Sequence, residues 1–198
     1  LNPLHAIETF SRFFEKPWKE LFEGRLIEPP DMPRRYVLVL LGLKLPELFL
    51  VLSMLGMIGA LFAVARNGIE PRLRAACLGV AMSALLPVAI TVLARPAMYN
   101  GIRHFVFILP PLAVLGGMAV AFIAARCNIA AKVIAALIFF AGIGLPAIAM
   151  ARLHPYQYIH FNAVAGGIAA VQSRYMLDYW GLSFKQAGQE LRFRIASP

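Results

Sequence analysis

The 198 residues are 60% hydrophobic and only 15% charged, with a mean hydropathy of +0.71 and a formal net charge of +9. Soluble domains average about 45–50% apolar and about 25% charged residues, so this is the composition of a membrane protein. The positive balance favours anionic head groups or phosphate-bearing lipids over nucleic acid, for which no basic patch interleaved with stacking aromatics is present.

Asn2-Pro3 is a helix-start signal, and Ile7, Phe10, Phe13, Phe14, Trp18, Leu21 and Phe22 recur at near-helical spacing with charges between them. That pattern predicts a helix, interrupted at Pro17, that either lies in the membrane interface or packs on a soluble domain. Gly24–Arg35 holds three prolines and no apolar periodicity, so it reads as an ordered loop. Tyr36–Leu45 is apolar but too short to span; it either extends the next helix or re-enters. Lys44 and Glu47, three apart, are expected to neutralise each other at the membrane boundary, the alternative being a head-group or substrate contact.

Four long apolar runs follow: Leu48–Ala65, Leu73–Ala94, Phe105–Ala125 and Ile129–Ala151. About 20 residues at about 1.5 Å each cross a core of about 30 Å, so four transmembrane helices are predicted in an all-α membrane protein. Pro87, Pro110, Pro111 and Pro146 are expected to kink them, and Gly56/Gly59, Gly116/Gly117 and Gly142/Gly144 to provide small faces for close contact. The predicted organisation is 1–47 as interfacial helix and loop, 48–151 as the transmembrane region, and 152–198 as a C-terminal segment on the same side as 1–47.

That last placement follows from parity. With four spans, the segments 1–47, 95–104 and 152–198 share one face, and only two short loops lie on the other. Five of the 19 Lys and Arg lie toward the short-loop face and fourteen toward the motif-rich face. A raw positive-inside count would put the rich face in the cytoplasm, but long segments translocate largely regardless of charge.

On the rich face, Tyr99-Asn100-Gly101-Ile102-Arg103-His104 stands directly before an apolar run. Arg and His at a helix mouth are costly unless something polar or anionic meets them. Further on, Tyr, Trp and charged residues mix in 154–162 and 174–181, read either as an interfacial aromatic belt or as a polar site with aromatic walls. Ser183-Phe184-Lys185-Gln186 fits a capping box opening a short amphipathic helix. Cys77 and Cys127 show no metal-like spacing, nor do His154 and His160 among the four histidines. Carboxylates able to act as a base on this face are Asp31, Asp178 and the acids before Leu48. No phosphate-cradling Gly-rich loop, nucleophile elbow or zinc-protease motif occurs.

Four segments in order, LFEGRLIEPPDMPRRYVLVLLGLKLPE (21–47), YNGIRHFVFILPPLAVLGG (99–117), HPYQYIHFN with the following Gly-Gly (154–167), and RYMLDYWGLSFKQA (174–187), resemble the C-terminal part of bacterial GT-C integral-membrane glycosyltransferases. The group resembled is that of the protein O-mannosyltransferases and aminoarabinose transferases. The resemblance implies transfer of a sugar from a polyprenyl-phosphate carrier to an extracytoplasmic acceptor, in the bacterial inner membrane with the motif-rich face outside. It also implies that this chain is a piece of a longer protein, whose N-terminal part carries the catalytic acidic loop. Arg103 and His104 are then the expected lipid-phosphate ligands, with Tyr99, Asn100, Asp178, Tyr179 and Trp180 contacting acceptor or ordering loops. No cofactor is expected, a divalent metal is left open, and no catalytic residue is assigned. The alternative reading is a non-enzymatic membrane module, such as a transporter part or an assembly subunit.

Overall fold

The structure, a computed structural model, describes residues 18–178 and 181–196. The N-terminal helix expected over residues 2–17, and with it His5, lies outside the described residues, as do Tyr179 and Trp180. Where the expected helix would have continued, Glu20–Phe22 is a strand (β1), paired antiparallel with Arg25–Ile27 (β2). Both turn residues, Glu23 and Gly24, are left-handed at φ 51° and 79°. This geometry matches the twist of a two-residue hairpin. The predicted loop over 24–35 therefore contains a strand, and then a 3-10 turn at Pro29–Asp31. The free edge of β1 is covered from far along the chain: Phe22 bridges Tyr175, Met176 N–H donates to Leu21 O (2.9 Å), and Gly24 N–H donates to Arg174 O (2.9 Å).

Helix α1 (Tyr36–Lys44) is a separate element, since Leu45 and Pro46 are extended and α2 (Glu47–Ala65) starts afresh. The end of α1 would leave carbonyls unpaired. Asn162 fills that need: its Nδ2 donates to Gly42 O (2.7 Å) and Leu45 O (2.8 Å), and its N–H to Leu43 O (2.8 Å). Helix α3 (Pro71–Ala94) ends at Arg95 in the left-handed region. A 3-10 segment (Arg103–Ile108) leads into α4 (Leu109–Ala124), and α5 runs Ile129–Arg152 with Asn128 Oδ1 capping Ala131 N–H (2.9 Å). Short α6 (Gly167–Val171) and α7 (Ser183–Ala196) close the chain.

Glu47–Ala65, Pro71–Ala94, Arg103–Ala124 and Ile129–Arg152 are long and apolar enough to cross a membrane, so the chain is an all-α, multi-pass membrane protein. Large apolar side chains along them, Phe62, Leu93 and Phe140 among them, are exposed. Such surface belongs against lipid, not water. Pro87 and Pro146 do lie inside helices, but Pro110 and Pro111 do not kink one: they open α4, where a missing N–H costs nothing.

The core has two parts. Between α2, α3 and α4, small residues let backbones approach: Ala60, Cys77, Ala81, Ala84 and Leu115 are buried together. Gly56 is the tightest point, since a Cβ there would lie 1.8 Å from Leu115 O. Gly116 faces Ser53, and Gly142 faces Leu48, whereas Gly59, Gly117 and Gly144 meet nothing within 4 Å among the described residues. Of each glycine pair, one member makes the contact. Ser53, buried in this seam, donates to Leu112 O (2.9 Å), so its hydroxyl is satisfied where no water reaches. Helix α5 buries no residue. The larger cluster sits at the loop face, where Phe22, Met32, Tyr36, Phe105, Phe161 and Tyr175 pack from the hairpin, α1, the 3-10 segment and the C-terminal stretch.

Candidate functional site

Parity grouped the N-terminal region, the 95–104 loop and the C-terminal stretch, and hydrogen bonds interlock all three. Met98 N–H donates to Pro29 O (3.3 Å), while Arg95 reaches Met32 O (3.2 Å) and Asp31 O (3.0 Å). The centre of the interlock is Glu20, only 2% exposed. Its Oε1 accepts from the Tyr36 hydroxyl (2.5 Å) and its Oε2 from Asn100 N–H (2.6 Å). The Tyr36 oxygen in turn accepts from Gly101 N–H (2.9 Å). One carboxylate on β1 and one phenol on α1 thus fix the turn at Asn100 (φ 55°) and Gly101 (φ 71°). Burial pushes the Glu20 carboxyl above the ordinary range, against the pull of the hydrogen bonds from Tyr36, Asn100 and Gly101 and of the Arg103 charge.

That turn delivers Arg103 and His104 to the start of the third span. Arg103 Nε donates to His104 Nε2 (3.2 Å), which accepts at that nitrogen. The guanidinium lies over the Tyr99 ring (4.9 Å to centroid), which also meets His104 (5.0 Å) and, edge-on, Trp18 (4.9 Å). His104 is exposed and Arg103 half-buried. Tyr99, Asn100, Arg103 and His104, singled out from the sequence, therefore form one cluster. Asn100 contributes backbone; its side-chain Oδ1 is buried with no hydrogen-bond partner among the described residues.

Asp178 stands in a different place. Its carboxylate accepts from Tyr158 (2.6 Å), Leu182 N–H (3.3 Å), Ser183 N–H (3.0 Å) and the Ser183 hydroxyl. It therefore caps α7 from outside the helix. Gln186, expected to reach back to Ser183 in a capping box, instead accepts from the Tyr156 hydroxyl (2.8 Å). Burial by itself would raise the Asp178 carboxyl, but the bonds from Ser183 and Tyr158 outweigh it and hold the group well below the usual carboxylate range. A depressed acid supplies stability that is present above its unfolded value and lost as pH falls through the folded one. The α7 junction should thus survive mild acid. Asp178→Ala, which strands four donors, is expected to raise amide exchange across 181–190 on the order of tenfold, about the loss of one charge-assisted bond. Unchanged exchange there would show that Asp178 does not hold the junction.

Lys44 and Glu47 do not pair as expected, because Pro46 breaks the helix between them and sends them to different partners. Lys44 donates to Tyr158 O (3.0 Å) and lies over the Phe161 ring (4.2 Å), while Glu47 accepts from Val164 N–H (3.1 Å). Burial draws the Lys44 ammonium down to about 8, with Glu20 pulling the other way. Tyr158 therefore links Lys44, through its carbonyl, to Asp178, through its hydroxyl. Sequence reasoning had Glu20 only within a group of acids, and it missed Tyr36, Lys44 and Phe161 as organising residues; the weak signal was their position inside the motif segments.

Among the described residues, no three His, Cys, Asp or Glu side chains converge as for a metal ion. A cavity of about 370 Å³ opens between α2, α4 and α5, its lining including Leu48, Leu52, Val120, Phe139, Cys127 and Lys132. No family model, curated protein or solved structure matches the chain.

Proposed function

We propose that this chain is the carrier-binding part of a membrane glycosyltransferase that moves a sugar from a polyprenyl-phosphate donor to an extracytoplasmic acceptor. The observation that carries the reading is the Arg103–His104–Tyr99 cluster, a cation braced on an aromatic ring at the mouth of a membrane span. A lipid phosphate sits at that depth, and a guanidinium matches it with paired donors.

In such a transfer the acceptor oxygen forms a bond to the sugar as the sugar–phosphate bond breaks. The electron pair leaves with the phosphate, and a base takes the acceptor proton. A cation fixed beside the phosphate stabilises the charge that grows there. In this reading Arg103 supplies that cation, and His104, accepting from Nε, aims it. Acceptor activation falls to the acidic loop that the motif resemblance implies for the parent enzyme, and the motif-rich face is extracytoplasmic.

The test is binding first, transfer second. In nanodiscs, Arg103→Ala should weaken polyprenyl-phosphate binding roughly 10- to 100-fold, as expected for loss of a charge-assisted bond of about 1.5–3 kcal/mol, and leave polyprenol unaffected. In the intact parent, the same change should abolish transfer of radiolabelled sugar without altering insertion. Near-normal transfer would remove the assignment.

A further inference from the structure

We propose that α7 lies on the bilayer surface, on the same side as the Arg103 cluster, and binds anionic phospholipid head groups. At about 100° per residue, Phe184, Ala187, Gly188, Leu191 and Ile195 fall in a stripe roughly 100° wide. The large members of that stripe are uncovered: Phe184 is 77%, Leu191 60% and Ile195 76% exposed. Charges border the stripe and do not interrupt it. On the same helical count Lys185 and Arg192 lie along one edge and Arg194 along the other. Glu190 sits behind Arg194 and is bonded to it (2.8 Å). An apolar face edged by long cationic stems is how a helix beds into head groups, because the stems lie along the acyl boundary while their charges reach phosphate.

What covers this face follows from where α7 is tied. The Tyr156 hydroxyl holds Gln186, in the first turn of α7, at 2.8 Å. Tyr156 comes four residues after Arg152, the last residue of the span α5. Even fully extended, four residues reach about 14 Å, so the first turn of α7 is anchored near the membrane boundary. The Asp178 cap fixes the same turn from the other side. A helix pinned at that level, with an apolar stripe and basic edges, has the bilayer as its neighbour.

The test uses the whole chain in nanodiscs with Cys77→Ala and Cys127→Ala, and one nitroxide label at a time at 184, 189, 191, 193 or 195. Labels at 184, 191 and 195 should be open to oxygen and shielded from a water-soluble nickel chelate, with the reverse at 189 and at 193, which falls on the opposite side. In bilayers containing phosphatidylglycerol, Lys185→Ala or Arg192→Ala should each lower the ratio of bound to detached helix about fivefold. Chelate access at every position would mean that α7 stands in water, and exclusion of both reagents at the stripe would mean that protein covers it, whether a second copy or another segment. Either result overturns the proposal. Amide exchange over 183–196 in the unlabelled chain gives a label-free check: it should be slower in phosphatidylglycerol than in phosphatidylcholine discs, and equal rates would overturn the lipid preference.

Discussion

Gly56→Leu should yield no monodisperse folded protein, whereas Gly59→Leu, three residues along the same helix, should melt within a degree or two of the parent. The first Cβ has nowhere to go. It would stand 1.8 Å from the Leu115 carbonyl oxygen and 2.4 Å from the carbon, both backbone atoms that no rotamer change can move. Overpacking absorbed by side chains costs about 1–3 kcal/mol, but here α2 and α4 must part. Parting them opens the seam of Ala60, Leu115 and Ser53, and Ser53 loses the Leu112 carbonyl in a medium without water. Gly59 meets nothing within 4 Å and faces outward, so a leucine there adds one more apolar contact with lipid. Size-exclusion profiles and thermal melts in one detergent decide the matter. Equal behaviour of the two variants would show that the α2–α4 contact is looser than the structure has it.

The spans were legible because hydrocarbon thickness imposes a length that no other helix needs, and four such runs fix by parity which loops meet. The interlock at the loop face was legible only in outline. That Glu20 belongs there depends on a pairing with Asn100, 80 residues away, and nothing local to Glu20 announces it. The hairpin escaped notice because its strands are three residues long and its turn is Glu-Gly, not the stronger Asn-Gly signal. Helical spacing misled twice near prolines: Lys44 and Glu47 straddle Pro46 and diverge, and Pro110-Pro111 start a helix that the apolar run already seemed to contain. At α7 the local capping template was present, yet Asp178, outside the helix, supplies the acceptor and leaves Gln186 to Tyr156. Local pattern gave the helix; tertiary contacts chose its cap.

Glu20 should prove the most sensitive polar residue of the loop face. Glu20→Ala leaves the Asn100 N–H and the Tyr36 hydroxyl without their acceptor in a buried setting. At about 1–3 kcal/mol for each of the two stranded donors, the expected loss is roughly 2–6 kcal/mol, a large part of a marginal stability. Glu20→Gln keeps one acceptor oxygen and removes the charge, so it should cost less, and it separates hydrogen bonding from ionisation through pH. The Glu20 carboxyl is raised, chiefly by burial, above its ordinary value of 4.5. Between the unfolded and the folded value the folded chain therefore binds the extra proton. Stability from this group rises as pH falls through the folded value and levels off below the unfolded one. The parent should then gain stability as pH is lowered from neutral toward 4.5, and Glu20→Gln should lose that component of the slope. If both profiles keep the same slope, the carboxylate is not in the desolvated position described. The same pair tests the link to the proposed carrier site, since the turn at Asn100 and Gly101 leads directly into Arg103. Glu20→Ala should weaken polyprenyl-phosphate binding nearly as much as Arg103→Ala, while Glu20→Gln, with the turn still held, should bind close to the parent. Intact binding in Glu20→Ala would mean that Arg103 finds its position without the hairpin.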